Sequence, residues 1–350
     1  MTDAAGSPNP PPGPSGLARV LGTGRLKIAL FAAIPMALML GVLALSVLIS
    51  FSGPGPSTSP TQLVFAEGSN LPQIAKSLDQ GGVISTATGF VIAAKLTGAS
   101  RRLKAGEYEF PAHASMSKVL DMIHRGQTVR RQITLPEGIT SAMVVDILRA
   151  NKYLTGPVTE PPEGSVLPET YQIKRGESRK QVLARMMAAQ DALLAKLWPA
   201  RQSGLPFKSV YEAVIMASIV EKETGLAKER PHIAAVFINR LRLGMRLETD
   251  PTIIYGLTKG RPLGRGLRRS ELLAKTAYNT YAISGLPPTP IANPGKAALE
   301  AVLNPLKSDD LFFVADGSGG HAFATTYDEH TRNVANWRKI ERAAAIQQGR

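Results

Sequence analysis

Among the acidic side chains of this 350-residue chain, Glu221 has the setting in which a carboxyl group transfers protons. It stands in SVYEAVIMASIVEKETG, a stretch apolar nearly all round and therefore read as a buried helix from about 208 to 223. On a helical wheel Val210, Val214 and Ala217 form one stripe, and Glu221 continues it four residues on. A carboxyl group there costs free energy unless it is paired or protonated. Desolvation favours the protonated form, which a general acid needs near neutral pH. The alternative is a glutamate near a helix C-terminus that reaches solvent or meets a lysine or arginine. Glu223 falls at another angle, beside Met216 and Ile219, where it supports the site or lies on the surface. Asp250, in TDPTIIYG, is a second carboxylate candidate, although Asp before Pro more often makes a turn and caps nearby backbone.

Other chemistries find no support. There is no HExxH, and the five histidines show no ligand spacing, so neither a metal nor another cofactor is expected. GxSxG and P-loop strings are missing, and a chain without cysteine has no thiol nucleophile. Lys259, Arg261, Arg265, Arg268 and Arg269 form a basic cluster that grips an anionic substrate or simply makes solvated surface.

The elements that must position these groups read as α+β. VFAEGSNLPQIAKSLDQGGVI and TLPEGITSAMVVDILRANKYL echo each other at a spacing of 70, with Glu67-Gly68 matching Glu137-Gly138 and Leu78 matching Leu148. Each copy reads as a short strand, a tight Glu-Gly turn and an amphipathic helix. KAGEYEFPAHASMSKVLDMIHRG between them repeats the strand-turn-helix order. After the turn-rich PPEGSVLPETYQI come helices from 179 to about 197, from about 208 to 223, and from Pro231 onward. A loop (LETDPTIIYG), a basic loop (TKGRPLGRGLRRS), a further helix and the Pro-rich GLPPTPIANPG follow. The helix AALEAVLNP, strands LFFVAD and HAFATTY around GSGG, and a terminal amphipathic helix complete the chain.

Residues 28–51 carry no charge and span about 36 Å as a helix, enough to cross a bilayer. The run is too long for a cleaved signal's apolar core, no A-x-A-like site follows it, and without cysteine lipoprotein processing is excluded. Arg19, Arg25 and Lys27 precede the span and no Lys or Arg follows until Lys76, so the N-terminus is expected in the cytoplasm and the body in the periplasm. The expected division is a disordered cytoplasmic tail at 1–27, a signal anchor at 28–51, a flexible linker at 52–61, a binding region at 62–158 and a catalytic domain at 159–345.

A net charge of +14 raises the question of nucleic acid, but export and the lack of stacking aromatics among the basic clusters argue against that partner. Anionic envelope partners fit better: phospholipid headgroups of the inner membrane, lipid-linked pyrophosphate or acidic wall polymer.

The blocks EGSVLPETY (163–171), ASIVEKETG (217–225), VFINRLRLGMRLETDPTIIYG (236–256), AYNTYAISGLPPTPIANPG (277–295) and LFFVADGSGGHAFATTYDEH (311–330) closely resemble the YceG-like family of endolytic murein transglycosylases, the MltG type. The upstream echo resembles that family's LysM-like region. The resemblance implies a lyase that cuts within peptidoglycan glycan strands, between N-acetylmuramic acid and N-acetylglucosamine, leaving a 1,6-anhydro end. It places the catalytic role on Glu221, as general acid and then general base. Asp250, Tyr255, Asn279, Tyr281, His321 and Glu223 stand in matching blocks as sugar-binding candidates, or equally as residues that hold loops. Ala277 departs from the family, in which Ser-Pro is common before Tyr278-Asn279-Thr280. The family role also implies termination of nascent strands beside penicillin-binding proteins and other peptidoglycan synthases. Two readings stay open: a muramidase that uses water, and a noncatalytic wall-binding scaffold built on the LysM-like units.

Overall fold

Side chains along Thr61–Phe65 (β1) alternate between partly and fully exposed before Phe65 turns inward, the pattern of a half-covered strand. In the computed structural model this strand pairs antiparallel with Gly106–Phe110 (β2), with Leu63 opposite Tyr108. The structure describes residues 33–39, 41–42, 45–46, 49–99 and 103–347, and the chain divides into two units, 1–129 and 130–350.

In the first unit, helix α1 (Leu71–Gln80) opens with a capping box between Asn70 and Gln73 and buries Ile74, Ala75 and Leu78. Helix α2 (Ala87–Leu96), which the sequence reading did not anticipate, precedes β2 and gives the order β-α-α-β. Helix α3 (Met116–Arg125) ends at Gly126 in the left-handed region, φ 71°. Phe65 packs tilted against the stacked rings of Tyr108 and Phe110 within the apolar cluster that these elements enclose. The stretch 52–61, expected as a flexible tether, is held instead: Gly55 N–H donates to His113 O, and His113 N–H donates to Ser57 O. A Cβ at Gly55 would collide with the Ala114 carbonyl, so this close approach needs glycine.

Described positions within 28–51 are helical. Among the described residues no helix is long and apolar enough to cross a membrane; the remainder of that stretch, and the tail at 1–27, lie outside them.

The second unit begins with Arg131–Thr134 (β3), antiparallel to Thr170–Ile173 (β4), and Ser141–Ala150 (α4). α4 follows α1 at an offset of 70 residues, and Gly68 and Gly138 both take positive φ, at 84° and 72°. The seam between units therefore falls between the two copies of the echo rather than after 158. Arg179–Leu197 (α5) packs Val182, Leu183 and Met186 into the cluster of Ile133, Val144 and Leu148.

The helical core lies further along the chain. Val210–Glu223 (α6) buries every residue from 213 to 220, and packs with Arg230–Arg242 (α7) and Lys296–Leu303 (α10). Between α7 and α10 the Asp-Pro pair, expected as a turn within a loop, instead opens helix α8 (Asp250–Thr258). Proline suits the first helical turn, where its missing N–H has no partner to lose, and an aspartate there meets the positive end of the helix. A short helix α9 (Arg269–Leu273) follows. The hairpin Phe312–Ala315 (β5) and His321–Ala324 (β6) and helix α11 (Tyr327–Gln347) complete the mixed α+β fold.

Candidate functional site

Glu221 sits just past the buried run of α6, two residues before the helix ends, and its side chain is only 4% exposed. Enclosure that complete demands partners for a carboxylate, and the second unit supplies them from three other segments. Arg230, in the first turn of α7, places Nη2 2.8 Å from Glu221 Oε1. The Gly295 N–H, at the N-cap of α10, donates to Glu221 Oε2 at 2.8 Å, so the positive end of that helix faces the carboxyl group. The same Arg230 Nη2 lies 3.1 Å from Glu137 Oε2, in the Pro136-Glu137-Gly138 turn. Burial pushes the Glu221 carboxyl above its ordinary value; the Gly295 N–H and the charges of Arg230 and Lys222 oppose the rise, and Glu137 adds to it.

Glu221 is therefore both enclosed and bound by an arginine. Gly138 makes the meeting possible. A Cβ there would come within 3.3 Å of Glu221 Cγ, at a φ of 72° that side chains rarely adopt.

The segment Ile291–Gly295 is the hub of this arrangement. Ile291 N–H donates to Ser218 Oγ on α6 at 3.0 Å. Asn293, fully buried, donates from Nδ2 to Ile139 O and to Glu163 Oε1, and accepts from Val166 N–H. Glu163 in turn accepts from the Ser141 N–H at 2.8 Å, a carboxylate at the start of α4. Burial raises the Glu163 carboxyl, against the hydrogen bonds from Ser141. Two Pro-Glu-Gly turns, 136–138 and 162–164, thus converge on Ala-Asn-Pro-Gly. Glu137, Arg230, Glu163, Asn293 and Gly295 were not singled out from sequence; the doubled Pro-Glu-Gly string was the available signal.

Of the residues that were singled out, four gather on the other side of α6. Glu223 accepts a hydrogen bond from Thr249 Oγ1 and feels the charges of Asp250 and His321. Burial, the largest cause, pushes its carboxyl up. Tyr281 donates to Asp250 Oδ1 at 2.8 Å. His321 sits with Nδ1 2.8 Å from Glu229 Oε2, and its N–H donates to Glu229 Oε1. Glu229 precedes Arg230, so the start of α7 touches both groups.

Tyr255 and Asn279 do not join them. Tyr255 is 6% exposed and donates to Glu163 at 3.2 Å. Asn279 is fully buried, donates to the carbonyls of Glu271, Leu272 and Ala274, and accepts from the Tyr281 N–H. Both side chains make their hydrogen bonds within the protein. In the basic cluster, Arg265 pairs with Glu271 and Arg261 with Asp146, while Lys259 lies 5.4 Å from the ring centres of Tyr255 and Tyr278. Among the described residues no group of three His, Asp or Glu side chains is placed to hold a metal ion.

An α+β chain with an enclosed, arginine-bound glutamate at the end of a core helix has the build of an acid–base enzyme. The family model described as the YceG-like family matches residues 63–336, and the chain belongs to that family. Curated relatives named endolytic murein transglycosylase include one from Streptococcus pneumoniae serotype 2, 29% identical over 77% of this chain and 57% of its own length. Another, from Bacillus subtilis, is 28% identical over 79% of this chain and 84% of its own. The chain spans little more than half the length of the pneumococcal relatives. A solved YceG-like protein from Listeria monocytogenes is 30% identical, with 79% of this chain and 99% of that one covered at a TM-score of 0.49.

Proposed function

We propose that this chain is an endolytic lytic transglycosylase of peptidoglycan and that Glu221 carries its chemistry. The observation behind this reading is the enclosure of Glu221, 4% exposed, with a carboxyl group biased toward its protonated form and a guanidinium held against it. The neutral acid gives its proton to the glycosidic oxygen as the bond to the muramoyl C1 breaks. The resulting carboxylate, stabilised by Arg230 and the Gly295 N–H, then takes the proton of the muramoyl C6 hydroxyl. O6 bonds to C1 and closes the 1,6-anhydro ring. No water is consumed: one proton leaves with the departing sugar's hydroxyl and another arrives from the C6 hydroxyl, so one carboxyl group serves both steps.

Supporting roles follow from placement. Glu223, Asp250, Tyr281 and His321 are proposed as the sugar-binding group, with Asp250 and the Tyr281 hydroxyl the pair nearest the solvent. The β-α-α-β order of the first unit supports a LysM-like, glycan-binding role within 62–158. The catalytic part, drawn at 159–345 from sequence, extends upstream to include the turn that brings Glu137. The charge-free stretch 28–51 supports a single inner-membrane anchor, which keeps the enzyme where new strands and their synthases lie.

The test is mass spectrometry of glycan digested by the full chain. Fragments ending in 1,6-anhydro sugar from within strands support the reading. Reducing ends show a water-using muramidase instead, and intact glycan shows a binding scaffold.

A further inference from the structure

The Glu137 carboxylate takes no part in the two proton transfers, yet Arg230 links it to the group that makes them. One nitrogen, Arg230 Nη2, holds Glu221 at 2.8 Å and Glu137 at 3.1 Å. Exposure is graded along the row: Glu221 and Arg230 are 4% and 8% exposed, and Glu137 is 44% exposed. Two glycines shape the contact. Gly138 lets the turn lie against Glu221, and a Cβ at Gly295 would collide with the Glu137 carboxyl group.

We propose that Glu137 and Arg230 are positioning residues of the catalytic centre: Glu137 draws the shared guanidinium partly away from Glu221 and so sets how readily Glu221 holds a proton. This deepens the lytic transglycosylase reading and rests on it for its catalytic meaning. An enclosed carboxylate bound by arginine alone is a stable anion and a poor acid, because an opposite charge at contact favours the charged form. A second carboxylate on the same nitrogen weakens that bias and adds a repulsion of its own. The pair of carboxylates shares one positive charge, and the group deeper in the protein is the one for which a proton is the cheaper remedy.

Three charged side chains among the described residues enter this balance. Arg230 comes from α7, Glu137 from the Pro-Glu-Gly turn and Lys222 from α6 itself, its Nζ 3.3 Å from Gly138 O; the Gly295 N–H comes from the start of α10. Arg230 Nε is buried without a hydrogen-bond partner among the described atoms, so the guanidinium is held through its far end, where the two carboxylates compete. The arrangement also joins the second copy of the sequence echo, which carries Glu137, to the chemistry.

The experiment is a carbon-13 NMR titration of the glutamate side-chain carboxyls in the full chain, with the Glu221 signal assigned by its loss in Glu221→Gln. Glu137→Gln removes the competitor at a side chain exposed enough to tolerate the change. The expected result is a lower Glu221 midpoint, an about tenfold weaker hold on the proton. Arg230→Lys keeps the positive charge but loses the planar fork. In that background Glu137→Gln is expected to move the midpoint by much less, because a single ammonium no longer bridges the two groups. An unchanged Glu221 midpoint in Glu137→Gln, or equal shifts in both backgrounds, overturns the proposal. The titration is read on the protein itself, so failure of glycan cleavage counts against the enzymatic reading and leaves this result separately interpretable.

Discussion

The N–H of Gly295 donates to Glu221 across 74 residues of sequence, at 2.8 Å, from the N-cap of α10. This bond is made by backbone, so the side chain at 295 enters only through its size. A methyl group there would strike Glu137 and push its turn, or Gly295 itself, out of place. Gly295→Ala is therefore expected to cost about 1–3 kcal/mol in urea unfolding. It should also slow cleavage in the fraction that stays folded. Unaltered stability and rate together would show that the turn has room to spare.

Asn279 and Tyr281 should separate in their effects. Asn279 holds three carbonyls and one N–H inside the protein, so Asn279→Ala is expected to cost about 2–4 kcal/mol of stability and leave KM near its original value. Tyr281→Phe removes a hydroxyl from the exposed Asp250, so KM for glycan is expected to rise about tenfold with the melting temperature little changed. Steady-state kinetics with thermal melts of both variants decide it. The reverse pattern would return Asn279 to the sugar-binding group.

Stability should fall as pH rises above about 4.5 because of the buried glutamates. Glu163, Glu221 and Glu223 have carboxyl groups pushed up from 4.5, chiefly by burial, so the folded state binds their protons more tightly than the unfolded state. Their contribution is complete below 4.5 and is lost as pH rises through the raised values. Glu271, held down at about 2 by Arg265, works in the opposite sense and at lower pH. Burial lifts Glu229, but the hydrogen bonds from His321 outweigh it and hold the group below 4.5, so its contribution too is lost on acidification. Glu223→Gln mimics the protonated side chain. Its stability relative to the parent is expected to improve as pH rises above 4.5 and then level off, measured by urea unfolding between pH 4.5 and about 8. A flat difference would mean that Glu223 ionises as freely inside the protein as outside.

Much of this fold could be read from the chain because local pattern and tertiary role agreed. The helix around Glu221 was legible since an apolar run interrupted by one carboxylate has few other meanings, and the echo gave the strand-turn-helix units at their true spacing. Asp250 was misplaced because Asp-Pro serves a turn and a helix start equally well, and only the packing of Ile253 and Tyr255 decides between them. α2 was missed because its apolar residues do not keep to one face. The partners of Glu221 were out of reach for a different reason. Arg230 and Glu137 are a single arginine and a single glutamate among many, 9 and 84 residues away, and what makes them special is a shared nitrogen that no spacing reveals. The two Pro-Glu-Gly turns were visible as strings, but their meeting at Asn293 and Gly295 is a property of the folded chain.

The most direct measurement is the rate at which Glu221→Gln releases 1,6-anhydro-ended fragments from purified glycan, compared with the parent at equal folded concentration. Glutamine keeps the size of the side chain and removes its proton chemistry. The expected result is a fall of about 10²–10⁴-fold with glycan binding retained. A variant that still cleaves at the parental rate would contradict the assignment of the chemistry to Glu221.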